Sequence, residues 1–215
     1  MRVSIVIPAH NEEKRIGLVL AEIKKTGLTF FVVDDGSEDG TSRVARKYTP
    51  NVLRHSINLG KGAALKTGCE AAFDFGAEAV VVMDSDGQHK VSDLPKFIKA
   101  LKKCEVVLGE RDFGKTPTVR LIGNKLISFL VNLFFGISVG DILCGFKAFT
   151  KKAYKKISWT SLGYSVETEI VAMTGKYHLK HCQVPVTTVY YDKFKGLTAT
   201  AGLEILFDVL RFKLR

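Results

Sequence analysis

Through the first half of the chain, apolar residues come in short unbroken runs. Each run gives way to a stretch in which they recur every three or four positions. "VSIVIP" (3–8) is continuous and rich in β-branched residues, and "EEKRIGLVLAEIKKTG" (12–27) then spaces Ile16, Leu20 and Ile23 along one helical face before stopping at Gly27. The alternation continues with strand "FFVVDDGS" (30–37), helix "DGTSRVARKY" (39–48), short strand "VLRHS" (52–56) and helix "KGAALKTGCEAAFDFG" (61–76). Strand "AEAVVVMD" (77–84), helix "VSDLPKFIKALKK" (91–103) and strand "EVVLGER" (105–111) follow. Strands with no polar face, each paired with a helix, predict an α/β fold: an open, mostly parallel twisted sheet flanked by helices on both faces.

Beyond Arg111 the pattern predicts a long helix over about 118–135, a strand at "FKAF" (146–149) and an acidic helix at "SVETEIVAMTGK" (165–176). Strands "KHCQVPV" (180–186) and "TTVYYD" (187–192) precede a C-terminal helix. No internal repeat or low-complexity segment interrupts this order. At 215 residues the chain fits one domain, read as a nucleotide-binding half (1–110), an acceptor-shaping half (111–198) and a C-terminal amphipathic helix (199–215).

Ligands of open α/β sheets gather at the carboxyl ends of the strands. Three acidic sets are placed there: Glu12 after the first strand, Asp34 and Asp35 after the second, and Asp84 with Asp86 after the fourth. In "VVDDGSEDGT" a carboxylate at the strand's end suits a ribose or a base edge, and it equally suits an Asx turn with a helix cap. "NLGKGAALKTG" is not a Walker A loop, since His55 and Gly62 stand where Gly and Ser or Thr are required. It retains a weaker anion signal: Gly60 and Gly62 let backbone approach a phosphate near a helix start, and Lys61 adds charge.

"VVVMDSDGQH" (80–89) ends its apolar run in two aspartates one residue apart. Asp84 and Asp86, with Gln88 adding a neutral oxygen, suit a hard divalent cation that in turn bridges a diphosphate. An acid/base pair and a plain Asp-Gly turn are the alternatives. A phosphatase of the haloacid-dehalogenase type would want Thr where Gln88 stands and would place its two aspartates early in the chain, so chain order argues against it.

Charge sharpens the choice of partner. Against 22 Asp and Glu stand 32 Lys and Arg, a net +10, which favours anionic ligands or surfaces. A nucleic-acid partner is disfavoured, because no aromatic-basic interleaved motif or binding module is present. Cys69, Cys104, Cys144 and Cys182 are scattered without a CxxC pair, so four reduced thiols in a cytoplasmic protein are expected. The N-terminal apolar run is too short for a signal peptide. The uncharged run 126–140, "LISFLVNLFFGISVG", falls short of the ~20 residues that span a bilayer.

"VIPAHNEE", "VVDDGSEDGT", "NLGKGAALKTG" and "VVVMDSDGQH", in that order, resemble glycosyltransferase family 2 of the dolichyl-phosphate mannose synthase type. The likeness continues through "VLGERDFG", "RLIGNKLISFLVNLFFG" and "DILCGFKAF", over roughly residues 1–190. It implies a GT-A fold and inverting transfer of a hexose, mannose first, from GDP-mannose or a UDP-hexose to dolichyl or polyprenyl phosphate. By position, Pro8, Ala9, Glu12, Asp34, Asp35 and Lys61 match the nucleotide-sugar site. Asp84, Asp86 and Gln88 match the Mg or Mn and diphosphate site, with Asp86 catalytic. Arg111 and Arg120 match basic residues facing the donor and acceptor phosphates.

A lipid phosphate acceptor agrees with the residues on chemical grounds. A phosphate monoester is already dianionic near neutral pH, its second ionisation lying near ~6, so it needs positive charge and no base. Glu167 and Glu169 are read as polar contacts or as a solvated helix face. Leu203, Leu206, Phe207, Leu210 and Leu214 form an apolar stripe on the last helix, opposite Glu204, Asp208, Arg211 and Arg215. With the run 126–140 and the Lys-rich "KAFTKKAYKK", this predicts peripheral docking at the inner face of the cell membrane. "QVPVTTVYYDKFKGLTAT" departs from the family: Gln183 stands for Glu and no Ser-Lys follows Gly196, which leaves open UDP-glucose or UDP-N-acetylglucosamine as donor, and a saccharide or lipid-linked sugar as acceptor.

Overall fold

The computed structural model describes residues 1–112, 118–189 and 199–214, without the side chains at 118–122, 199–204 and 206. Seven strands form one sheet in the order β3-β2-β1-β4-β6-β5-β7. They are β1 (Val3–Ala9), β2 (Thr29–Asp34), β3 (Val52–Arg54), β4 (Ala79–Val82), β5 (Val106–Arg111), β6 (Lys147–Thr150) and β7 (His181–Val186). The expected mostly parallel sheet is present, with β6 antiparallel between β4 and β5. Of the expected strand 187–192, the described residues show an isolated bridge from Thr188 to His89; Tyr190–Asp192 lie outside the described residues.

Alternate residues of a strand point to opposite faces, and each face carries its own core. Ile5, Ile7 and Val81 point toward α1 (Glu13–Lys25), α2 (Thr41–Ala45) and α4 (Leu94–Ala100). Val6, Val80 and Val82 point toward α3 (Lys61–Asp74), α5 (Thr118–Phe135), α6 (Lys151–Ile157), α7 (Val166–Lys176) and α8 (Ala199–Leu214). Helix α6 is absent from the sequence reading. It begins where Thr150 Oγ1 caps the Ala153 amide at 3.2 Å, within the Lys-rich run assigned from the sequence to a membrane-facing surface.

Pro8 sits in a central strand, a position proline ordinarily avoids. The β1–β4 ladder ends at the pair Val6 and Val82, followed by the bond from Met83 N–H to Val6 C=O. The missing N–H of Pro8 therefore falls on the side where β4 has already ended. β1 stays paired with β2 as far as Ala9 and Asp34, and the chain after β4 is released at the sheet's carboxyl edge.

One expectation is corrected. Cys104 and Cys182 form a disulfide, and only Cys69 and Cys144, both buried, are free among the described residues. The partners are 78 residues apart in sequence, but pairing of β5 with β7 brings their Cα atoms to 6.0 Å. On α8, Ile205, Val209 and Phe212 face the core, while Phe207, Leu210 and Leu214 of the apolar stripe read from the sequence are 72%, 49% and 90% exposed. Leu203, Glu204, Leu206 and Arg215 lie outside the described side chains.

Closing a loop of this length restricts the unfolded chain more than the folded one. Replacing Cys104 and Cys182 together by Ser is expected to lower stability by about 2–4 kcal/mol in urea titration of the oxidised protein. An unchanged midpoint would show that the bond carries none of it.

Candidate active site

The sheet's carboxyl edge collects the acidic sets, and the first two are consumed by the chain itself. Asp34, fully buried, accepts from Ser37 N–H at 2.9 Å and from the Ser42 hydroxyl, with Arg54 Nε at 3.7 Å. Burial pushes its pKa up, but these bonds and Arg54 outweigh it and leave it below the ordinary value. Asp35 accepts from His55 Nδ1 (2.7 Å), Leu59 N–H (3.0 Å) and Gly60 N–H (2.8 Å). Glu12, also buried, starts α1, with its N–H on Thr41 Oγ1 at 2.9 Å. The local turn read in "VVDDGSEDGT" thus describes the Asp34–Ser37 bond, whereas Asp35 reaches across to the loop before α3. Pro8 and Ala9 are buried at the end of β1, where Ala9 C=O accepts from Asp35 N–H at 2.8 Å.

Asp35 also fixes the start of α3, and the start of α3 aims Lys61. The Lys61 ammonium lies 2.6 Å from Asp84 Oδ1 and 2.6 Å from Glu167 Oε1, joining α3, the chain after β4 and the first turn of α7. Burial alone would lower its pKa; the two carboxylates more than reverse this and raise it. For Asp84 burial likewise acts upward and is outweighed, first by Lys61 and then by His89, whose Nε2 is 3.6 Å away, so the carboxyl is held far below the usual range. Gly145 gives Asp84 its place: a Cβ there would stand 2.9 Å from Asp84 Cγ and closer still to Oδ2.

Asp86 behaves differently. Its pKa is raised, by burial first and by the charge of Asp84 second, and no cation pairs with it among the described residues. Gln88 donates to it twice, from N–H at 2.9 Å and from Nε2 at 2.8 Å, so the amide that sequence offered as a cation ligand is turned with its nitrogen on Asp86. Glu167 Oε2, His89 Nδ1 and Thr188 Oγ1 are buried at this corner without a hydrogen bond among the described residues.

The acidic helix, left open in the sequence between polar contacts and a solvated face, packs against the site. Glu167 and Glu169 are buried, at 5% and 0% exposure, so the solvated-face alternative is corrected. Glu169 accepts from Thr160 N–H (3.0 Å) and Ser161 N–H (2.8 Å), seating the 160–163 loop. That loop in turn caps α3: Leu162 C=O accepts from the N–H groups of Gly62 (2.5 Å) and Ala63 (3.3 Å). Gly60 and Gly62 therefore make room for protein backbone, which takes the place assigned to an anion. The helix is polar on several sides yet buried on nearly all, and periodicity gives no warning of that.

At the end of β5, Arg111 grips buried Asp141 through Nε (2.6 Å) and Nη2 (2.9 Å). Lys147, buried and lowered in pKa by that burial, donates to Ile142 C=O at 3.0 Å and to Cys144 C=O, fixing the turn that carries Asp141 and Gly145. The Arg120 side chain lies outside the described residues.

Residues 4–158 match glycosyl transferase family 2. The chain belongs to that family. An uncharacterized protein of Methanocaldococcus jannaschii is 36% identical over 222 residues, covering 98% of this chain and 91% of its own. A UDP-N-acetylglucosamine–dolichyl-phosphate N-acetylglucosaminyltransferase of Methanococcus voltae is 30% identical over 239 residues, covering 98% and 95%. Glucosyl-3-phosphoglycerate synthase from Mycobacterium tuberculosis, solved with Mg2+ and uridine diphosphate, superposes with TM-score 0.78 at 21% identity, covering 98% of this chain and 78% of that one. The family 2 transferase thus has a GT-A fold, and it is a glycosyltransferase.

The donor set of the transferase fits a hard divalent cation. Asp84 and Asp86 offer carboxylate oxygens close enough for the charge of Asp84 to raise the pKa of Asp86, a repulsion that a shared cation would relieve. No three His, Cys, Asp or Glu converge to form a complete cage among the described residues, so ligand phosphates would fill the remaining positions, as is usual for Mg2+.

Gly62 gives a prediction of opposite sign to the usual one. Gly→Ala at an ordinary helical site stabilises by about 0.4–1 kcal/mol. In the transferase the new methyl would run into Ser161 C=O, and Gly62→Ala is expected to destabilise by about 1–3 kcal/mol in urea titration.

Proposed function

We propose that the transferase moves a hexose, with inversion, from a nucleoside diphosphate sugar to a polyprenyl phosphate. The observation that carries this is the pairing, at one sheet edge, of Asp84 and Asp86 with a turn that holds Arg111. A sugar leaving a diphosphate builds negative charge on that diphosphate, and a cation held by Asp84, Asp86 and the carbonyl of a rotated Gln88 amide would supply the opposing charge. Pro8, Ala9 and Glu12 line the donor's side of the edge, with Asp34 and Asp35 acting from beneath to fix the loops. Arg111, oriented by Asp141, and Arg120 on the next helix are assigned to the phosphate groups.

The acceptor assignment rests on charge. A phosphate monoester attacks as an anion and needs only to be held, which suits a site whose buried carboxylates Asp34, Asp35, Asp84 and Glu169 are all engaged by protein groups. The Methanococcus voltae relative, aligned over nearly its whole length, is named for a UDP-linked amino sugar and dolichyl phosphate, which supports a UDP-hexose over GDP-mannose.

The membrane surface is proposed from α5 and α8. Each carries two apolar stripes: Ile127, Val131 and Phe135 or Ile205, Val209 and Phe212 inward, and Leu126, Phe129 and Leu133 or Phe207, Leu210 and Leu214 outward. The helices are neighbours, tied where Lys213 Nζ reaches Phe134 C=O at 2.9 Å. A surface helix that is apolar on both sides fits an interfacial role, and no described helix is long and apolar enough to cross a membrane.

The reaction is tested by incubating the full chain and Mn2+ with UDP- and GDP-hexoses, with polyprenyl phosphate or with neutral polyprenol. Release of nucleoside diphosphate only with the phosphate-bearing lipid is the expected result; equal release with polyprenol, or none with any donor, would refute it. Asp86→Asn is expected to cut turnover at least about 100-fold with an unchanged melting temperature. Phe129→Glu combined with Phe207→Glu should weaken co-sedimentation with anionic vesicles by about tenfold or more, since each ring otherwise contributes roughly 1.5–3 kcal/mol on burial.

A further inference from the structure

Lys61, Asp84 and Glu167 form the one buried ion cluster on the described carboxyl edge that the proposed chemistry leaves unexplained. A lysine that only added charge for a phosphate would point outward. This one is turned in, 16% exposed, with its ammonium bridging two carboxylates. Its backbone cannot follow a moving side chain, because Gly60 N–H is held by Asp35 and Gly62 N–H by Leu162 C=O. The four-carbon stem can, and an ammonium keeps its hydrogen bonds while rotating where a guanidinium fork would not.

Three observations bear on what it does there. With Asp86, the cluster has three carboxylates and a single ammonium, which leaves it two negative charges from neutrality, the charge of one divalent cation. The ammonium sits on Oδ1 of Asp84, the carboxylate that such a cation must share. Glu167 Oε2, on the carboxylate that already holds the ammonium, is buried and accepts no hydrogen bond among the described residues. A buried carboxylate oxygen without a donor is unfavourable, so this atom is a vacant acceptor beside a group that has a donor to give.

We propose that Lys61 is the resident counter-ion of Asp84, a positioning residue that yields the carboxylate to an incoming divalent cation and moves wholly onto Glu167. The proposal rests on the reading of Asp84 and Asp86 as the cation's ligands. In the absence of a cation, Lys61 holds Asp84 in place against Gly145. On loading, Oδ1 is exchanged from ammonium to metal, and Glu167 Oε2 gains its missing donor. Lys61 and the divalent cation thus compete for one oxygen, and Glu167 sets the outcome by offering the lysine somewhere to go.

Competition has a signature that a merely structural lysine lacks. Mn2+ binding to the donor-free full chain can be followed by loss of the free-ion electron paramagnetic resonance signal. Lys61→Met should bind Mn2+ about tenfold or more tightly than the unaltered protein, because an adjacent like charge is removed. Lys61→Arg, which keeps the charge and holds it more rigidly, should bind more weakly. Glu167→Gln should also weaken binding, and by a smaller factor in the Lys61→Met background than alone. Unchanged or weakened binding in Lys61→Met, with a normal melting curve, would overturn the proposal, as would Lys61→Arg binding as tightly as Lys61→Met. Asp86→Asn separates the two levels: if it leaves Mn2+ affinity intact, the cation lies elsewhere and the reading beneath the proposal falls with it.

Discussion

A carboxylate at the end of a buried strand must be given positive charge and room, and Asp84 obtains both from parts of the chain far away in sequence. Room comes from Gly145, held in a turn by the buried Lys147. Charge comes from Lys61, whose helix begins where it does because Asp35 accepts its preceding amide and Leu162 C=O caps its first turn. The 160–163 loop in turn is seated by Glu169. Both halves of the chain are therefore needed to place one side chain.

That dependence shapes the chemistry. Most carboxylates near the edge are spent on rigidity: Asp34 and Asp35 shape loops, Glu169 seats a loop, and Asp141 orients Arg111. Asp86 is raised in pKa, beside a carboxylate that is strongly depressed. Two carboxylates this close, with no cation paired to Asp86 among the described residues, suit a divalent cation that bridges to a diphosphate. An acceptor that arrives already ionised removes the need for a base.

The first five strands and their helices were legible in the sequence because parallel strands buried on both faces read as unbroken apolar runs. What escaped was set by sheet order. The antiparallel direction of β6 and the bond between Cys104 and Cys182 arise only once β5 lies between β6 and β7. In the site, the acidic pair after β4 was visible as a motif, but its partners were not. Gly60 and Gly62 carry the signature of close backbone approach without saying whose backbone, and it proved to be the protein's own. For Glu167 and Glu169 the choice between polar contacts and a solvent face stayed open, because a helix buried on nearly every side has no apolar stripe to decide it. On α8 two apolar stripes were present, and period alone could not choose which one meets the core.

The central claim is that Asp84 and Asp86 hold a divalent cation against the donor's diphosphate. Anomalous diffraction from crystals of the full chain grown with Mn2+ and uridine diphosphate tests it most directly. A manganese peak within coordination distance of a carboxylate oxygen of Asp86 and of the diphosphate, with Asp84 contributing the neighbouring oxygen, is the result the account predicts. Nucleotide bound at this edge with no peak between it and Asp86, or with manganese at other residues, would contradict it.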